Sequence, residues 1–152
     1  MSYVQRVLQP GETVIYTTRL HWLVYARPVL LLVLALVLAA GAQARTDWPR
    51  LFLAAAGVVL ALAVLDGIAA ALKRATTEFA VTDHRIIYKR GIVGRYTIEM
   101  ARAKVESVDV QQSLSGRALN YGTIIVRGTG GGLEPIRNVE SPLRLRSTIL
   151  AQ

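Results

Sequence analysis

The sequence predicts a membrane-anchored α+β protein: a two-helix transmembrane hairpin attached to a small antiparallel β domain that ends in a helix. Three observations predict it. Two long apolar runs carry almost no charge, the chain turns to strand-like alternation at Thr77, and positive charge collects after the second run. The 152 residues suit one domain with an appendage. Hydrophobic residues make up 53% of them, more than an ordinary soluble surface tolerates, and the excess sits in the two runs.

Residues 1–21 form a cytoplasmic N-terminal segment. Within it GETVIYTTR, residues 11–19, follows a Pro-Gly turn and reads as an extra strand able to join the β domain. Residues 22–72 form the hairpin. The first run is WLVYARPVLLLVLALVLAAGA, beginning at Trp22, and the second is LFLAAAGVVLALAVLDGIAAAL, from Leu51 to Leu72. A helix of roughly 20 apolar residues crosses the hydrocarbon core. Arg27 lies near the end of its run and can snorkel to the headgroups, while Trp22, Tyr25 and Trp48 mark the interfaces. The loop QARTDWPR, residues 43–50, permits only a tight reversal, so the spans are antiparallel neighbours. The polar stretch before the first run, with its own strand signals, argues against a signal peptide. Arg6, Arg19, Arg27, Lys73 and Arg74 flank the spans on one side against Arg45 and Arg50 in the loop. That bias predicts a multi-pass protein of the inner (cell) membrane with both termini in the cytoplasm.

Asp66 is the one acid inside a span. A carboxylate at depth costs about 2.5–3.5 kcal/mol on insertion scales. One reading is a polar contact between helices or protomers, or a proton-coupled role. The simpler reading is an interfacial acid within reach of Lys73 or Arg74. The small residues Ala54, Ala55, Ala56 and Gly57 permit close helix packing and a homo-oligomer.

Residues 76–152 form the β domain. Strands are expected over 77–82, 85–90, 95–100, 104–111, 121–127 and 133–139, with a turn at Asp83-His84, another between Gly91 and Gly94, and a loop over 113–120. The apolar parity shifts within 104–111, which predicts a β-bulge or a bend. Ser141 is placed to cap a C-terminal helix with Pro142 in its first position, and Leu143, Ile149 and Leu150 are expected to face the sheet. Six or seven short strands need closed or orthogonal packing to hide their edges.

No catalytic centre stands out. There are no cysteines and only two histidines, His21 and His84, in no metal-ligand spacing. GTGGG at 128–132 lacks the Lys-Ser/Thr of a phosphate loop and joins two strands, and Ser115-Gly116 lies in no nucleophile elbow. The expectation is a protein without cofactor or catalysis. The net charge of +8, with thirteen lysines and arginines against seven acids from Lys73 onward, points to an anionic neighbour. Lys73, Arg74, Arg85, Lys89, Arg90 and Arg95 are the candidate anionic-ligand or lipid-headgroup residues. Nucleic acid is not expected, because the strands carry no paired aromatic stacking platform.

The blocks TTEFAVTDHRIIYKRGIVGRYTIEM and KVESVDVQQSLSGRALNYGTIIVRGTGG, with LQPGETVIYTTRLHWLVYARP at the start, resemble the bacterial pleckstrin-homology-like (PH-like) domains of membrane proteins similar to YdbS. The T-x-x-R-I-I pattern at Thr82–Ile87 and S-x-x-G-x-x-x-N-Y-G-T-I at Ser113–Ile124 are its most specific parts. The resemblance implies a PH-like split β-barrel with a C-terminal capping helix, and little biochemistry. The function it suggests is a membrane-anchored binding or scaffold module at the cytoplasmic face, recruiting a protein partner or contacting anionic phospholipid. The alternative is an oligomeric small transporter or channel subunit with Asp66 in the membrane.

Overall fold

The computed structural model describes residues 3–43, 48–91, 94, 96–132 and 135–151. Arg45, Arg95 and Leu133, used in the sequence reading, lie outside them. In chain order the elements are α1 (Tyr3–Val7), β1 (Val14–Thr18), α2 (Ala26–Gly41), α3 (Pro49–Thr76), β2 (Glu78–Thr82), β3 (Arg85–Arg90), β4 (Tyr96–Ala101), β5 (Val105–Gln111), α4 (Leu114–Ala118), β6 (Tyr121–Gly128), β7 (Gly131–Gly132), β8 (Ile136–Glu140) and α5 (Pro142–Leu150). They make two compact units. One is helical, Trp22–Leu72; the other joins Met1–His21 to Lys73–Gln152.

In the helical unit a 3-10 turn over Trp22–Tyr25 leads into α2. Both helical segments are long and apolar enough to cross a membrane. Their buried positions recur at a spacing of seven, Pro28 and Ala35 on α2, Ala56 and Ala63 on α3. Such a narrow seam of small residues lets the backbones approach closely. At the loop end Gly41 gives room to the Phe52 ring, which would lie 3.3 Å from an added Cβ. The large side chains point away from the seam. Leu30 is 69% exposed and Leu65 is 64% exposed, so helices apolar all round cover little of themselves.

The β unit is built from both arms of the chain. β1, β2, β3 and β4 form one antiparallel sheet in that order; in the second, β6 pairs with β5 on one side and with β7 and β8 on the other. The sheets meet along one seam, where Leu20 bridges Val139 and the His21 amide donates to the Asn138 carbonyl at 2.7 Å. The parity shift foreseen in β5 is real: its register with β6 slips between Val105 and Ser107. Phe79, Val81, Ile86, Tyr88, Val108, Ile124, Val126, Ile136 and Val139 fill the space between the sheets.

Three local expectations are corrected. The 113–120 loop contains α4, capped by Ser113, whose Oγ accepts from the Gly116 amide. Ser141 precedes α5 but does not cap it through its side chain. Its φ is +50°, and its hydroxyl instead accepts from Asn120 Nδ2. Helix α5 turns Leu145 and Ile149 to the core, leaving Leu143 and Leu150 largely exposed. Starting the helix at Pro142 places positions 145 and 149, four apart, on the inner face.

Candidate functional site

Alternation along β2 and β3 sends Ala80, Thr82 and Ile87 to the outer face, yet all three are buried. Helix α1 explains part of this, since Val4 and Val7 pack on Ala80 and Ile87. Arg85 explains the rest. Its Nε donates to Glu12 Oε1 at 2.9 Å and one terminal nitrogen to Glu12 Oε2 at 2.7 Å. The same nitrogen reaches the Val7 carbonyl at 2.8 Å, and the other reaches Glu99 at 2.6 Å. Thr82 Oγ1 lies 2.7 Å from Glu12 Oε1, and the Gln9 amide donates to Oε2. The Glu12 side chain is only 3% exposed. Hydrogen bonds from Arg85, above all, draw its carboxyl down from 4.5 to about 2, and Glu12 in turn raises the Arg85 guanidinium. Three of the five guanidinium N–H groups hold the N-terminal segment on the sheet and a fourth reaches Glu99 on β4, so Arg85 is a clamp and not a surface cation.

Asp83 and His84 are a turn with a similar task. Thr13 and Asp83 exchange backbone and side-chain hydrogen bonds at 3.1 Å, and His84 Nδ1 lies 2.8 Å from the Asp83 carboxylate. That histidine, more than the Thr13 amide, holds the Asp83 carboxyl below its usual range.

Register sorts the remaining cations. Lys89 stands opposite Glu78 and Arg90 opposite Tyr96. Just before β2, the Thr77 amide donates to the Lys73 carbonyl, and Arg74 Nε donates to the Leu20 carbonyl at 3.1 Å. Lys73, Arg74, Lys89 and Arg90 therefore share the end of the β unit where the chain leaves at His21 and returns at Lys73. Arg19, outside the sequence-based set, is exposed at the same strand end. The Arg90 guanidinium lies 4.8 Å from the Tyr96 ring centroid. Arg85 is at the far end of β3, about 16 Å away at the rise of a strand. Of the six candidates, four lie at this one end, with Lys89 and Arg90 on opposite faces of β3; Arg85 lies at the other end, and Arg95 is outside the described residues.

In the helical unit Asp66 meets Arg27, with Nε 2.9 Å from Oδ2. No hydrogen-bond alignment satisfies that oxygen, so charge attraction joins the two. Its partner is therefore Arg27, and not Lys73 or Arg74.

The β unit also has an open cleft of about 590 Å³ between the ends of β5 and β6, walled by Gln111, Gln112, Tyr121, Thr123 and Asn138. No sequence pattern signalled it. Among the described residues no group of three His, Asp or Glu side chains could hold a metal ion.

A family model described as Bacterial PH domain matches residues 17–152, a stretch that takes in both long apolar helices. The chain matches no curated protein and no solved structure.

Proposed function

The chain belongs to the bacterial PH domain family, and from that premise we propose that it is a membrane-anchored, non-catalytic binding module whose β unit works against an anionic surface. The helical unit is the anchor. Its outward leucines, valines and isoleucines have no protein cover among the described residues, and hydrocarbon is the solvent that suits them. In this reading both termini are cytoplasmic and the β unit lies at the inner leaflet.

One observation carries the ligand class: Lys73, Arg74, Lys89 and Arg90 gather at the end of the β unit through which the chain passes to and from the helices. Each such cation near an anionic leaflet contributes about 1 kcal/mol of attraction. Glu78 is the one acid in register with them, opposite Lys89. The channel reading needs Asp66 free to line a pore, whereas Asp66 pairs with Arg27 of its own chain, which favours the anchor reading.

Hydrogen exchange on the full-length chain in nanodiscs tests the proposal. Raising phosphatidylglycerol from none to about a third should protect the amides of residues 73–78 and 87–91. High salt, or the double change Lys89→Gln with Arg90→Gln, should remove that protection. Protection indifferent to lipid charge would defeat the reading.

A further inference from the structure

We infer that Arg27, held by Asp66, docks the phosphodiester of one membrane phospholipid on the helical pair; this rests on the membrane reading above. The Arg27 side chain is 80% exposed, although Nε is 2.9 Å from the Asp66 carboxylate. Its terminal nitrogens have no partner among the described residues. A guanidinium is a planar fork with donors to spare, and its terminal pair matches two oxygens of one phosphate. The carboxylate draws Nε to it by charge and leaves the terminal nitrogens for a ligand.

The level along the helices fits a headgroup. Roughly 25 Å of helix separates Pro49 from Asp66, nearly a full hydrocarbon thickness. The pair thus lies just inside the opposite boundary, one turn or so from Tyr25 and Trp22. The helices are also close here, because Pro28 is buried and a Cβ on Gly67 would meet Pro28 Cβ at 3.8 Å. That packing leaves Asp66 little freedom, so Arg27 is held in place. From Pro28 to Ala42 no other charge is available.

The site differs in character from the cationic end of the β unit. Arg27 and Asp66 together are neutral, so they recognise the phosphodiester that all glycerophospholipids share and not net headgroup charge. Asp66 is a positioning residue; Arg27 makes the contact.

The test is native mass spectrometry of the full-length chain released from mixed micelles of phosphatidylglycerol and phosphatidylcholine. One retained phospholipid per chain is expected, with the two headgroups retained within about twofold of each other. Arg27→Gln should lower retention about tenfold and Asp66→Asn severalfold, with retention partly kept by Arg27→Lys, which preserves the charge without the fork. Inorganic phosphate at tens of millimolar should not displace the lipid. Wild-type retention in Arg27→Gln, displacement by inorganic phosphate, or a strong preference for phosphatidylglycerol would each overturn the assignment. Where Arg27→Gln fails to insert, Arg27→Lys decides, since unchanged retention there also overturns it. Alkaline carbonate extraction of the wild-type chain reports separately on the membrane reading, because a chain stripped by carbonate refutes the anchor itself.

Discussion

Arg85 shows how far a charge can mislead when read along the chain alone. It sits in RIIYKR among cations, and proximity in sequence grouped it with them. Its partners Glu12 and Glu99 lie on other elements, one of them before the apolar runs. Local patterning carries no trace of such a pairing, and the same holds for Asp66, whose partner Arg27 lies on the other helix. By contrast the β2–β3 and β3–β4 pairings were readable, because hairpin register follows from alternation and turns. The clamp makes a prediction at this scale. Glu12→Gln leaves Arg85 half-buried with Glu99 as its remaining charged partner. The cost should be about 2 kcal/mol of β-unit stability, below the 3–5 of a fully buried pair because solvent and Glu99 compensate. Because the native Glu12 carboxyl titrates near 2 and not near 4.5, its contribution is complete above the higher value and fades as pH falls toward the lower. Denaturant unfolding of the full chain in detergent should therefore show wild type and Glu12→Gln converging between about pH 5 and pH 2. A constant gap across that window would refute the charge-based account.

At the scale of elements, long periodic segments were readable and short ones were not. The strands β2 to β6 fall where period-two alternation puts them, and the bulge in β5 followed from its broken parity. The five-residue helices α1 and α4 have no periodicity to read, since one turn and a half defines no face. The position of α1 comes from a tertiary contact with the apolar outer patch at Ala80 and Ile87, and that of α4 from the local Ser113 cap. Helix α5 was expected with Leu143 and Leu150 inward beside Ile149, because capping residues locate a helix start without setting its rotation. The observed rotation buries Pro142 with Leu145 and Ile149, the proline packing by Gly122, where an added Cβ would lie 3.1 Å from the proline Cγ. The consequence can be measured. Leu145 is fully buried, so Leu145→Ala should cost about 2–4 kcal/mol, with a lower urea midpoint for the full chain. Leu143 is 56% exposed, and Leu143→Ala should stay within about 0.5 kcal/mol. Equal costs would mean that the helix face is misassigned.

For the whole molecule, the compact unit that begins after the second apolar run also takes in residues 1–21. Sequence composition separates an apolar hairpin from a polar C-terminal part, and that contrast was plain. What composition cannot show is that the polar part is completed from the other side of the hairpin. β1 pairs with β2 from Val14↔Thr82 to Thr18↔Phe79, Leu20 bridges β8, and His21 stacks on Tyr121 with ring centroids 5.2 Å apart. Without residues 1–21, β2 becomes an edge with a flat apolar flank, and the seam between the two sheets opens at Val139. A fragment of residues 75–152 should therefore be largely unfolded or aggregated, with collapsed amide dispersion in NMR. Joining residues 1–21 directly to 73–152 through a short Gly-Ser linker should restore the fold, because Arg74 already reaches the Leu20 carbonyl across the gap the linker would span. If 75–152 alone gives a dispersed spectrum and a cooperative melt, β1 is an accessory and the two-arm architecture is not what holds the unit. If only the linked chain does so, residues 1–21 and 73–152 are two arms of one domain, joined through β1 and β2.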